Sequence, residues 1–237
     1  MSNILRACAL AASFLAVAAC GASSDGGQAA SGSQATGGAS AAETGKGLAR
    51  ASDMVLGDDS APVTVIEYAS VTCGGCAQAH ETIIPDLKSE YVDTGKVRFV
   101  FREYPKAPPS FVNQSYLASI MARCAADKGG KEAYFLIIDA LLKTQRVWIT
   151  GDTEAELKKI FQQAGLSNDY YDACLKRQDL LDIITANVEE AENTYEIPGT
   201  PTFLVDGEIV RVGKFAELKA AIDEALGEES ASAEADG

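Results

Sequence analysis

Cys73-Gly74-Gly75-Cys76 ends an apolar, strand-like run and opens a helix-like one. Two thiols separated by two residues can close into a small disulfide ring or stand open as a dithiol. Such a pair can exchange two electrons with the cysteines of another protein. The attacking species is a thiolate, and a cysteine at a helix N-terminus has its pKa lowered by the unpaired N–H groups and the helix dipole. By itself the spacing is ambiguous, because half of a zinc site has it too.

Upstream, Val63-Thr64-Val65-Ile66-Glu67-Tyr68 is β-branched and apolar enough for a buried strand. Downstream, His80, Ile84, Leu87 and Tyr91 recur at helical spacing with Ile83 beside them, and Pro85 predicts a kink. Val97 to Arg102 reads as a second strand, which completes a β-α-β unit. The middle of the chain is helical. Leu117, Ile120, Met121 and Cys124 mark one apolar face, and Phe135, Ile138, Leu141 and Leu142 another. Leu157, Ile160, Phe161 and Ala164 mark a third, ended by Gly165 as C-cap. Ser167 caps a short helix with Tyr171, Cys174 and Leu175, and a longer helix carries Leu180, Ile184, Asn187, Val188 and Ala191. Then Thr202 to Val205 and Glu208 to Val212 flank Asp206-Gly207, a two-residue hairpin signal. A last helix carries Phe215, Leu218, Ile222 and Leu226. The order is β-α-β, a helical block, then β-β-α.

Residues 1–19 read as a secretory signal: Met1 to Arg6 carries one positive side chain, and Ala7 to Ala19 is an apolar run. That run is shorter than the ~20 residues a membrane-crossing helix needs. Leu15-Ala16-Val17-Ala18-Ala19-Cys20 resembles the bacterial lipoprotein box, which implies acylation of Cys20. The alternative is ordinary cleavage near an Ala-x-Ala site, which would leave a free thiol exposed in an oxidising compartment. Gly21 to Gly47 is almost entirely Gly, Ala, Ser, Gln and Thr, too poor in apolar residues to offset ordering entropy. Residues 20–50 are therefore expected to form a tether, with a mean reach of ~30 Å. The expected domain is 51–227, with a helical insertion at about 111–196, and 228–237 is an acidic tail. The formal charge is −14, and residues 1–19 contain only one charged side chain, Arg6. Such acidity argues against nucleic acid and against electrostatic membrane adhesion, so membrane contact would come through a lipid. Of the six cysteines, Cys8 falls in the signal and Cys20 in the lipoprotein box. With Cys73 and Cys76 paired, Cys124 and Cys174 remain, and export favours a second disulfide between them. Two inert core thiols are the alternative.

The element order, a dithiol at the first strand-to-helix junction and a proline before the hairpin resemble an α/β thioredoxin fold with an inserted all-helical subdomain. More narrowly, the chain resembles the DsbA family of periplasmic thiol-disulfide oxidoreductases, especially the alphaproteobacterial ones. The segments that carry this are residues 67–73, residues 91–102, Met121-Ala122-Arg123-Cys124 and Gly199-Thr200-Pro201-Thr202-Phe203, within about Met54 to Leu226. The resemblance implies that Cys73 is the nucleophile and Cys76 the resolving, buried cysteine. It implies that Thr200-Pro201 is the family's cis-proline loop, whose backbone can pair with an extended substrate; an ordinary strand-start proline is the bland reading. It places at Glu67 a buried acid near Cys76. Burial raises a carboxylate's pKa and suits it to proton transfer, whereas the alternative is a strand residue facing solvent. No cofactor is implied beyond the cysteine pair. The implied partners are cysteine-containing exported proteins and a membrane redox protein, on the periplasmic side of the envelope.

His80, the only histidine, lies four residues after Cys76 on nearly the same helix face. It can hydrogen-bond near the dithiol, complete a metal site, or pack at the head of the apolar stripe. Strongly oxidising family members commonly have Pro-His between the cysteines, where this chain has Gly74-Gly75. Without an imidazole to hold Cys73 as a thiolate, the disulfide should be less oxidising. Oxidation of exported proteins is the leading expectation, and a reductase or isomerase the nearest alternative. A copper- or zinc-binding metallochaperone using Cys73, Cys76 and His80 is a third reading. Gly21 after Cys20 resembles the outer-membrane default, because inner-membrane retention commonly uses Asp there.

Overall fold

The computed structural model describes residues 49–227. The expected signal, Cys20, the Gly21 to Gly47 tether and the 228–237 tail lie outside them. The sheet is built around β2 (Val63–Ala69), whose seven residues are all buried. β2 pairs in parallel with β3 (Val97–Glu103) and antiparallel with β4 (Thr202–Val205). β5 (Glu208–Val210) continues the sheet beside β4, and β1 (Val55–Leu56) closes the other edge beside β3, in the order β1-β3-β2-β4-β5. A central strand covered on both faces reads as a nearly continuous apolar run, and β2 does, with one acid in it.

Alternation along β2 divides the core in two. Val63, Val65 and Ala69 face one cluster with Cys76, Ile83, Phe99, Phe101 and the inserted helices. Ile66 and Tyr68 face a second, with Val100, Tyr104, Ala191, Ile197 and Leu204. Glu67 shares the parity of Val65 and Ala69, which turns its side chain toward the first cluster.

The first crossover is broken where the proline predicts. α1 (Gly74–Thr82) stops at Ile83, α2 (Ile84–Leu87) restarts with Pro85 in its first turn, and Lys88–Val92 is a π-helical turn. Proline is tolerated in a first turn because its missing N–H is not needed there. α3 (Gln114–Lys143) begins at Asn113, whose side chain accepts from the N–H groups of Ser115 and Tyr116, and breaks at Gly129-Gly130. Gly130 has φ +64°, open to glycine without strain. Beyond the break the inward residues are Tyr134, Ile137, Ile138, Leu141 and Leu142, whereas the expected Phe135 is half-buried against the ring of Phe99. Tyr134 takes the inward position because its hydroxyl donates to the buried Glu103 carboxylate, 2.6 Å away.

α4 (Gln145–Thr150), α5 (Thr153–Gln163), α6 (Asn168–Cys174) and α7 (Gln178–Asn193) complete the insertion. Gly165 ends α5 with φ +78°, and the N–H groups of Gly165 and Leu166 donate to Gln162 and Phe161, which is a Schellman closure. The side chain of Ser167 caps α6 by accepting from Tyr170. Cys124 of α3 and Cys174 of α6 form a disulfide with both residues buried. The hairpin turns at Asp206 (φ +46°) and Gly207 (φ +92°), the positive pair that a type I′ turn requires. β5 ends two residues earlier than expected. α8 (Phe215–Leu226) buries Leu218 and Ile222.

Pattern reading did not anticipate a buried ionic layer. Arg102 pairs with Asp53 at 2.7 Å and Glu190 at 2.8 Å, and Arg123 with Glu103 at 2.6 Å. Asn187, assigned from the sequence to an apolar stripe, donates to Glu103 at 2.9 Å. These bonds tie the segment before β1, β3, α3 and α7 together.

Candidate active site

The turn from β2 into α1 presents the cysteine pair. Cys73 is the N-cap of α1 and half-buried, and Cys76 lies in the first turn, fully buried. Opposite them, the loop before β4 carries Thr200-Pro201 with a cis peptide bond. Antiparallel pairing of β4 with β2 places that loop beside the C-terminal end of β2, where the dithiol begins. The Cys73 thiol donates to the Thr200 carbonyl at 3.3 Å.

Gly75 is the more closely packed of the two glycines. A Cβ on it would stand 3.3 Å from Pro201 Cδ and 3.7 Å from Cys73 Sγ, whereas a Cβ on Gly74 would meet nothing within 4 Å. The two glycines between the cysteines are therefore not equivalent.

The two thiols are driven apart in acidity. The hydrogen bond from the Cys76 side chain favours the Cys73 thiolate; partial burial opposes it. The Thr200 side chain and the backbone N–H groups of Cys76 and Gly75 add to the lowering, and Cys73 falls to about 5. Cys76 is pushed up by the hydrogen bond with Cys73, then by burial, then by the charge of Glu67. Cys73 is thus the more acidic thiol of the pair and Cys76 the one that holds its proton. No side chain from positions 74 or 75 contributes.

Beneath the pair, the Glu67 side chain is fully buried, and its Oε2 lies 3.1 Å from His80 Nε2. Its Oε1 is buried with no hydrogen-bond partner. The His80 ring also meets Phe101 edge-on at 5.6 Å. His80 is thus both a packing residue and the partner of Glu67. Among the described residues no group of three His, Cys, Asp or Glu side chains is arranged to hold a metal.

The sequence reading missed the residues that brace this turn. Gln145, at the start of α4, donates through Nε2 to the carbonyls of Val71 at 2.8 Å and Cys73 at 2.9 Å. Ser70 Oγ lies 2.9 Å from Thr72 Oγ1 and 2.8 Å from Ser115 Oγ. Ser70, Thr72, Ser115, Asn113 and Thr200 line a groove of about 510 Å³ beside Cys73, with the 89 % exposed Val112 at its side. Nothing local in the sequence marks Gln145, because its acceptors are backbone carbonyls more than 70 residues away. Cys124 and Cys174 belong to the insertion and take no part in the dithiol turn.

A close cysteine pair at the end of a central strand, facing a cis proline, on a mixed sheet with a helical insertion, defines a DsbA-like thioredoxin fold. The family model described as "Thioredoxin" matches residues 50–224, and the chain belongs to that family. A relative in Rickettsia bellii, named "Putative protein-disulfide oxidoreductase", is 35 % identical over 178 residues, which are 75 % of this chain and 66 % of that protein. Its counterpart in Rickettsia conorii is likewise 35 % identical, with 63 % of its length covered, so the chain spans less than two thirds of these curated relatives. The crystal structure of Wolbachia pipientis alpha-DsbA1 superposes with TM-score 0.66 at 26 % identity, covering 76 % of this chain and 94 % of that one. Oxidised BdbD from Bacillus subtilis shares the fold, with TM-score 0.63 at 21 % identity, covering 74 % of this chain and 94 % of that one.

Proposed function

We propose that the protein is a thiol-disulfide oxidoreductase that oxidises cysteines of exported proteins through Cys73 and Cys76. The observation that carries this reading is the asymmetry of the pair: Cys73 is half-buried at the N-cap of α1 beside the cis Thr200-Pro201 loop and made the more acidic, while Cys76 is sealed and pushed up. A substrate thiolate attacks Cys73 Sγ, the Cys73–Cys76 bond breaks, and its electron pair leaves on Cys76. The substrate's second thiolate then attacks the substrate sulfur of the mixed disulfide and expels Cys73 as a thiolate. Stabilising that thiolate favours the reduced protein and makes the disulfide a better oxidant. This supports the oxidising direction, although Gly74-Gly75 lacks the imidazole of strong oxidants.

Glu67 serves as the proton partner of Cys76, since it is buried, acts electrostatically on that thiol and keeps one oxygen unpartnered. The Thr200 backbone and the polar groove hold an extended substrate segment. The signal-like N-terminus and lipoprotein-like Cys20 support work outside the cytoplasm, lipid-tethered, with a membrane redox protein restoring the disulfide.

Equilibration with glutathione tests the direction. The expected potential lies well above thioredoxin's, about −270 mV, whereas a value near that figure assigns the protein to reduction. The oxidised protein should also speed disulfide formation in a reduced client, and Cys73→Ala should abolish that activity.

A further inference from the structure

We propose that His80 is the proton relay between the sealed Glu67–Cys76 pair and solvent. The inference rests on the reading of Glu67 as proton partner of Cys76, and it supplies what that reading lacks: a route outward. Cys76 is 0 % exposed and so is Glu67. The strand neighbours of Glu67, Phe101 on β3 and Phe203 on β4, carry no charge and exchange no proton. Among ionisable groups, Cys73 and Glu67 are the ones that act most strongly on Cys76. The one side chain hydrogen-bonded to Glu67 among the described residues is His80, at 3.1 Å, and 9 % of the His80 side chain remains in solvent. Imidazole takes up and releases protons near neutral pH more readily than any other side chain.

The carboxyl group then has two ends with different tasks. Oε2 meets the imidazole, while Oε1 is buried with no hydrogen-bond partner, the Cys76 thiol included, so its exchange with that sulfur runs through a bridging water. A buried acceptor with no donor is costly, and a water that carries the proton between Oε1 and Cys76 gives it one. The steps balance in both directions. When a substrate thiolate opens the disulfide, the electron pair of the broken S–S bond leaves on Cys76 Sγ. Glu67 passes a proton to that sulfur, His80 replaces it on Glu67, and His80 takes a proton from water. In the reverse step, Cys76 gives its proton to Glu67 and attacks the Cys73 sulfur of the mixed disulfide, releasing the substrate as a thiolate.

The test compares His80→Gln, His80→Phe and Glu67→Gln with the unaltered chain. The mixed disulfide of Cys73 with a cysteine peptide is prepared, and its resolution by Cys76 is followed by acid quench and mass spectrometry from pH 5 to 9. Glutamine retains a donor for Glu67 but cannot relay a proton, so it separates relaying from holding. His80→Gln should slow resolution about tenfold or more and flatten the pH profile near neutrality, as Glu67→Gln should. Alkylation of Cys73 in the reduced protein should change less than twofold in His80→Gln. If Glu67→Gln is slow and His80→Gln matches the unaltered chain, the relay is wrong and the Glu67 reading survives. If neither is slow, both readings fall. Slowing in His80→Gln without slowing in Glu67→Gln overturns a route through Glu67. Slowing in His80→Phe alone reduces His80 to a packing residue. Should His80→Phe fail to fold, His80→Gln decides alone, because it retains the hydrogen bond.

Discussion

Replacing Thr200 by valine keeps the branched shape and removes one hydroxyl, which isolates one of the contacts that hold Cys73 as a thiolate. In the reduced protein the Cys73 thiol is lowered from an ordinary 9.0 to about 5, with the Cys76 hydrogen bond the largest cause and the Thr200 side chain a further one. Hydrogen bonds to charged groups contribute about 1.5–3 kcal/mol, and one pKa unit corresponds to about 1.36 kcal/mol. Cys73 is only half-buried, so water replaces part of what is lost. The expected shift is therefore at the low end, about one unit upward. At pH 6 the thiolate fraction falls from about nine-tenths to about one half. The sign follows from linkage. A folded-state pKa below the unfolded one favours the reduced fold, fully so above the unfolded pKa, and that advantage fades as pH falls through about 5. Between about pH 5 and 9, reduction takes up two electrons and one proton, because Cys76 stays protonated. The potential should then change by about 30 mV per pH unit, and by about twice that below pH 5. Thr200→Val should move the break to about pH 6. Iodoacetamide kinetics against pH, together with potentials from glutathione equilibration, measure both quantities. Curves for Thr200→Val that overlay those of the unaltered chain would refute the role assigned to the hydroxyl.

The braces and the core make further predictions. Gln145→Leu frees the carbonyls of Val71 and Cys73, and a client-oxidation assay should show a several-fold loss while the fold is retained by circular dichroism. Glu103→Leu leaves Arg123 buried without its partner, and urea unfolding should show a loss of about 3–5 kcal/mol. Removing the Cys124–Cys174 disulfide by double alanine substitution opens a loop of separation 50, which chain entropy values at about 4 kcal/mol; the unfolding midpoint should drop accordingly, with Cys73 alkylation unchanged. Gly74→Ala should leave client oxidation unaltered, because nothing lies within 4 Å of its added methyl group. Gly75→Ala should slow client oxidation a few-fold, as its methyl group meets Pro201 Cδ at 3.3 Å.

Much of the site was legible because the signals are local. Cys73 and Cys76 share one helix turn, Asp206-Gly207 carries the positive φ pair of its hairpin, and Gly165 and Ser167 cap helices within a few residues. Thr200-Pro201 and Glu67 were legible through family likeness, which stores tertiary information. The burial of Glu67 and the partner of His80 remained open, since one strand residue and one helix residue can each face either way. β1 is two residues long and exists only by pairing with β3. The ionic layer escaped because charged side chains usually mark solvent, and nothing nearby in sequence tells Arg123 of α3 that Glu103 of β3 will meet it.

By itself, the amino-acid order determined the larger elements, their succession and the cysteine pair, because hydrophobic period, turn residues and caps act over a few residues, whereas the short β1 and α4 took shape only through tertiary contacts. Only the tertiary structure decided what kind of dithiol this is. Thr200, 127 residues from Cys73, bears on its sulfur, while Gln145 bonds the carbonyls behind it and Glu67 lies in the core with His80. Thiol acidity depends on the groups a few ångströms away and on the water they exclude, and those neighbours are assembled by folding.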